Sequence, residues 1–268
     1  MRRRRIVVAV VAALAIAWVS AGVLHGITYG RPDGNDHPYV GFLLFYAPDG
    51  NGGYVGWYCT GALLSPTVVL TAGHCTEGAE FARVSFNTDV VSGWPDDAIM
   101  GTPYTHPEFS WNWPQGLLGW QGVDTGVVRL QEPVDLQEYA QLPEPGLADT
   151  LRMGTPIDVV GYGSQFKQKV SGPPYYRWDS TLERYYALSQ VVSSNNRASD
   201  MWLKLSANPG QGKGGICFGD SGGPDLLSGT NVIVATNSFV PNTNCAGLDY
   251  SNRVDRAVVL DWVNGFLP

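Results

Sequence analysis

The sequence predicts an all-β fold, and three observations carry that prediction. The 268-residue chain contains 33 glycines and 18 prolines, with only 15% charged residues. That composition suits many short strands joined by turns better than a helical bundle or a disordered chain. Short runs rich in β-branched and aromatic residues recur along the chain, usually bounded by Gly, Pro, Asn or Asp. A helical spacing of apolar residues is read only at the C-terminal end, and the length allows one large domain or two small ones.

The first element, Met1 to Ala21, has a basic tip, the apolar stretch "IVVAVVAALAIAWV" and the small-residue ending "VSA". This pattern predicts a signal peptide over 1–21 and export of the chain. The alternative is an uncleaved anchor, because the uncharged run continues to Leu24. Membrane association is expected only if the segment is retained. Strands are predicted at "VGFLLFY", "TGALLS", "TVVLTA", "ARVSF", "TGVVRL", "IDVVGYG" and "NVIVATNSF", forming barrels or a sandwich.

Between them, "HPEFSWNWPQGLLGW" concentrates Trp111, Trp113 and Trp120 and reads as a long, partly buried loop, with a binding surface as the alternative. "EYAQLPEPGLAD", Glu138 to Asp149, is the candidate connection between two β-halves, or else an ordinary surface loop. "NPGQGKGG" lacks the Ser or Thr that a phosphate loop needs after Lys213. In "VDRAVVLDWVNGF", Val254, Val258, Trp262 and Phe266 fall at fourfold spacing, which predicts a terminal helix over about 254–266.

Charge and cysteine content narrow the function classes. The net charge is −7, and loss of Arg2 to Arg5 with the leader would deepen the acidic excess, so nucleic acid is not expected as a partner. Cys59, Cys75, Cys217 and Cys245 allow three disulfide pairings that spacing alone leaves open. None forms a CxxC, so no metal site is expected.

Three stretches carry chemistry. "LTAGHC" places His74 directly after a β-run, "DTGVVRL" opens a strand with Asp124, and "GDSGGP" sets Ser221 between an acid and glycines. A serine hydroxyl is a poor nucleophile until an imidazole takes its proton, and a buried carboxylate must hold that imidazole in the right tautomer. Singly, each residue has a bland explanation as a core histidine, a strand-entry turn residue or a turn hydroxyl.

Together, in the order His, Asp, Ser, these blocks resemble the active-site blocks of the chymotrypsin-like (trypsin-type) serine proteases. "ITYG" at Ile27, "THPEF", "GYG" at Gly161 and the pair Ser238–Phe239 also look like family features. The resemblance implies a domain over 27–268 built from two antiparallel six-stranded β-barrels, about 27–137 and 146–253, followed by the helix. It implies His74 as general base and acid, Asp124 as its orienting partner and Ser221 as nucleophile. The backbone amides of Gly219 and Ser221 would form the oxyanion hole. Ser238 would hydrogen-bond near Asp124, Phe239 would line the substrate groove, and the disulfides would be Cys59–Cys75 and Cys217–Cys245.

The resemblance implies a peptide or protein substrate and no cofactor. The position that carries an aspartate in trypsin-like members is Gly215 here, and a common glycine at the pocket entrance is Val240. Both point to small or medium apolar side chains. Leu248 is a further candidate for the pocket wall, and Asp249, in a loosely aligned stretch, offers a charge from another wall. Ile27 and Asp220 match the family's activation ion pair, with 22–26 as a short propeptide. His25-Gly26 before Ile27 argues against self-cleavage and for another activating protease. The competing functions are a catalytically silent binding protein of the same fold and, more remotely, a surface adhesion protein.

Overall fold

The computed structural model describes residues 27–110, 122–173, 176–193 and 200–268. The leader and the short propeptide expected over 1–26, and Trp111, Trp113 and Trp120, lie outside the described residues.

Strands β1 (Arg31–Pro32), β2 (Val40–Pro48), β3 (Tyr54–Ser65) and β4 (Val68–Thr71) are followed by a single turn of helix, α1 (Gly73–Thr76). Then come β5 (Phe81–Ser85), the short α2 (Val90–Gly93), β6 (Ile99–Thr105) and β7 (Gly126–Leu130). Strands β2, β3, β4, β7, β6 and β5 close in that order into an antiparallel barrel. Closure removes the sheet edges, and its inward residues Val40, Leu43, Phe45, Leu63, Val69 and Val128 are fully buried.

After α3 (Leu147–Thr150), the second half contains β8 (Pro156–Gly161), the hairpin β9 (Phe166–Lys169) and β10 (Tyr176–Asp179), then β11 (Tyr185–Ser193) and β12 (Trp202–Ala207). It ends with β13 (Pro224–Leu227), β14 (Ile233–Phe239), β15 (Gly247–Arg253) and α4 (Ala257–Asn264). Strands β11, β12, β15, β14, β13 and β8 are paired in sequence, and β8 pairs back to β11 to close a second six-stranded barrel. β1 adds itself outside β11.

The terminal helix is shorter than its apolar spacing suggested, and its buried stripe is Val259, Leu260 and Val263. Val254 is buried too, but ahead of the helix, while Val258, Trp262 and Phe266 flank the stripe only partly covered. One apolar cluster runs from barrel one through Tyr162, Trp202 and Tyr250 of the second half to α4, so the barrels share a core.

Two disulfides brace the chain. Cys59–Cys75 ties β3 to α1, and Cys217–Cys245 ties the segment before Ser221 to the loop before β15.

Candidate active site

Strand register brings His74 and Asp124 together. β4 pairs with β7 so that Thr71 faces Gly126, and the residues just beyond that pair meet at one end of barrel one. The His74 amide donates to Asp124 Oδ1 at 2.9 Å, and His74 Nδ1 lies 2.9 Å from Asp124 Oδ2. Nδ1 bonded in this way fixes the ring orientation and leaves Nε2 as the nitrogen that can exchange a proton.

Asp124 is only 2% exposed. Burial works against its ionised form, but the His74 charge and the hydrogen bonds from His74 and Ser238 outweigh it and hold the carboxyl below its ordinary range. The Ser238 hydroxyl, on β14 of barrel two, donates to Asp124 Oδ2 across the interface.

Ser221 sits in the turn between Cys217 and β13. The turn is held by Asp220 N–H to Cys217 O at 3.1 Å, Gly223 N–H to Asp220 O at 2.9 Å and Gly222 N–H to Asn237 O at 2.7 Å. Barrel one reaches it directly: Thr60 N–H donates to Ser221 O at 2.8 Å, and Thr60 Oγ1 donates to Gly219 O at 3.0 Å. Cys75 Sγ, next in sequence to His74, lies 3.7 Å from Ser221 O. Cys59, His74 and Cys75 crowd together, yet the two sulfurs are consumed by their disulfide and leave no thiolate to ligate a metal. Gly219 has φ +98°, a conformation open to glycine, and a methyl there would run into the Tyr58 ring.

Asp220 faces away from the cleft. It is fully buried, and its carboxyl accepts hydrogen bonds from Cys217 N–H at 2.8 Å and Gly163 N–H at 2.7 Å. Burial dominates these bonds and pushes it up to about 7. Ile27 is fully buried in barrel two's own apolar cluster. The next residue, Thr28, is bridged to Gly215, and its hydroxyl donates to Gly215 O and Cys245 O.

The residue that sequence reading placed least securely is the one most clearly positioned here. Asp249 on β15 is fully buried, and its Oδ2 accepts the Ile216 amide at 2.9 Å. The same oxygen lies 2.5 Å from where a Cβ on Gly215 would stand, so Gly215 leaves the room that Asp249 fills. Burial, with Asp225 and Asp220 nearby, drives its carboxyl well above the usual range. Val240 packs partly buried beside the same region, while Phe239 stacks on Tyr250 with ring centroids 4.9 Å apart. Leu248 packs against the shared core instead, opposite Ser206.

A family model described as Trypsin matches residues 29–263. Brachyurin from Leptuca pugilator is 28% identical over 222 residues, covering 77% of this chain and 86% of that protein. Tryptase from Mus musculus is 24% identical over 227 residues, 79% of each. Among solved structures, HL collagenase superposes with a TM-score of 0.64 at 20% identity, over 85% of this chain and 93% of its own.

Proposed function

Because the chain belongs to the trypsin family of serine proteases, we propose that it is an exported serine endopeptidase working through Ser221, His74 and Asp124. The single observation that carries this reading is the buried Asp124 carboxylate, bonded at once to the His74 amide, to Nδ1 and to Ser238. A carboxylate so placed holds the imidazole's Nδ1–H and stabilises the imidazolium that forms when Nε2 takes the serine proton.

Ser221 Oγ attacks the peptide carbonyl while His74 takes its proton. The oxyanion is met by the amides of Gly219 and Ser221, and His74 then protonates the departing amine. Water, activated by the same imidazole, releases the acid from the acyl-enzyme. Two disulfides fit an extracellular site of action.

The pocket reading starts from Gly215 and Val240 and gives small or medium apolar side chains. The position of Asp249 favours a second reading, a basic side chain, whose positive charge would draw the neutral, buried carboxyl into its ionised form. Processing before Ile27 by another protease belongs to the same proposal, supported by the docking of Ile27 and Thr28 on barrel two. Fully active protein whose first residue is Gly22 would rule that processing out.

The primary test is covalent labelling of the exported protein with a fluorophosphonate, located by mass spectrometry, with Ser221→Ala as control. Labelling confined to Ser221 is the expected result. A folded, processed protein that takes up no label would reject the triad and leave a silent scaffold of the same fold.

A further inference from the structure

An apolar groove of about 440 Å³ opens beside the site and is not used by the chemistry above. Its floor is aromatic: Tyr58 stacks on Phe42 with centroids 5.4 Å apart, and Trp94 meets Phe42 edge-on at 5.6 Å. One rim is Val91 on α2, 64% exposed, and the opposite wall is Leu182. The rim is pinned by backbone, since Val90 N–H donates to Leu182 O at 3.1 Å and Asp89 bridges to Glu183. A concave apolar surface of this kind left open to water marks a binding site.

Tyr58 connects the groove to the reacting centre, because the ring that lines it also abuts Gly219, with Cε2 2.2 Å from the place of a Cβ there. The residues assigned to the acyl side, Gly215 and Ser238 to Val240, all belong to barrel two. Tyr58 belongs to barrel one, on the other side of Gly219, where the amine departs.

We propose that this groove receives a bulky apolar side chain from the leaving-group segment of the substrate, giving the enzyme a second point of selection beyond the scissile bond. The inference rests on the endopeptidase reading for its substrate. The groove walls offer little besides carbon, so selection comes from apolar burial. The Asp89 and Glu183 flank disfavours acidic residues in the same place.

The test uses internally quenched peptides identical except for the two residues after the scissile bond, Phe-Leu in one and Ala-Ala in the other. The parent is expected to favour Phe-Leu in kcat/KM by roughly ten- to a hundredfold, the worth of well-buried apolar groups. Val91→Asp, at an exposed position, should bring the ratio towards one. So should Leu182→Asn, since Leu182 has φ +56° and Asn accepts that backbone. The matching anilide, with no residue beyond the scissile bond, reports the triad alone.

A parent ratio near one, or a ratio that both variants leave intact, overturns the proposal. Binding of the same two peptides to Ser221→Ala separates the two readings. Tight, Val91-dependent binding of Phe-Leu by a protein that cleaves neither peptide nor anilide keeps the groove and rejects the endopeptidase. Anilide turnover with equal binding of both peptides rejects the groove alone.

Discussion

Replacing Gly219 with Ala tests the oxyanion assignment at its most constrained point. The added Cβ would lie 2.2 Å from Tyr58 Cε2, 2.7 Å from Cζ and 2.8 Å from the hydroxyl, and the backbone there has φ +98°. Holding a side chain in that region costs on the order of 1–3 kcal/mol. Tyr58 cannot retreat freely, because it stacks on Phe42 at 5.4 Å, so the peptide carrying the Gly219 N–H is the part that moves. Loss of one such donor is worth about 2.7–4 kcal/mol, or roughly 10²–10³ in kcat.

The assay is anilide turnover on active-site-titrated protein, with thermal unfolding in parallel. We expect kcat to fall by that factor while the fold persists. Adding Tyr58→Ala removes the overlap but not the φ penalty, so recovery should be partial. A single variant within about twofold of the parent kcat would refute the assignment of Gly219 as a donor.

Asp249→Ser should abolish any turnover of substrates with Arg or Lys at the cleaved position and spare apolar ones. A substrate-library profile unchanged by the substitution rejects a role for Asp249 in recognition. Asp220 and Asp225 are pushed up by burial to about 7 and about 8. The folded state therefore keeps protons that the unfolded chain releases near pH 4, and stability should fall as pH rises from about 4 to 8. Between pH 5 and 8 the loss should be at least ~1 kcal/mol by urea unfolding, with Asp225→Asn flattening the upper part; a flat parent profile would refute it. Arg184→Met strands the fully buried Asp33 carboxylate, to which Arg184 Nε donates at 2.8 Å, and should cost about 3–5 kcal/mol. Asp33→Asn with Arg184→Met should recover part of that in the same measurement, and no recovery would show that the pair is not the cause.

Much of barrel one was legible because its strands alternate large β-branched residues inward, as in "VGFLLFY" and "TVVLTA". The later strands were harder. β11 turns Tyr185, Ala187, Ser189 and Val191 inward, and the small and polar members blur the alternation. β15 buries Asp249, Ser251, Asn252 and Arg253, so a strand at the heart of barrel two has no apolar signature at all. The helix was visible in its spacing, but the spacing chose the flanking stripe over Val259, Leu260 and Val263.

His74, Asp124 and Ser221 stood out through motif resemblance, since no periodicity marks a catalytic residue. The bond between Asp249 and the Ile216 amide depends on the register of β12 and β15, where Leu205 faces Asp249, and no local pattern encodes that. Arg184 and Asp33 lie 151 residues apart, equally out of reach of any local pattern.

The division of the site between two barrels makes their mutual orientation part of its chemistry. Asp124 belongs to barrel one but takes a hydrogen bond from Ser238 of barrel two, and Ser221 of barrel two accepts one from Thr60 of barrel one. Thr125 adds a third tie to Asn252 at 3.2 Å. Arg184 braces the same pair of barrels: it bonds Val40 O at 2.8 Å and Phe86 O at 3.1 Å in barrel one, and the Tyr162 hydroxyl at 3.2 Å beyond β8 of barrel two. A small rotation between the barrels would change the His74–Asp124 environment and the Ser221 turn together, because each is anchored in the other's half. A misplacement near 1 Å is enough to cost about a hundredfold in rate. The shared core and these few buried polar ties therefore do catalytic positioning that neither barrel could do alone.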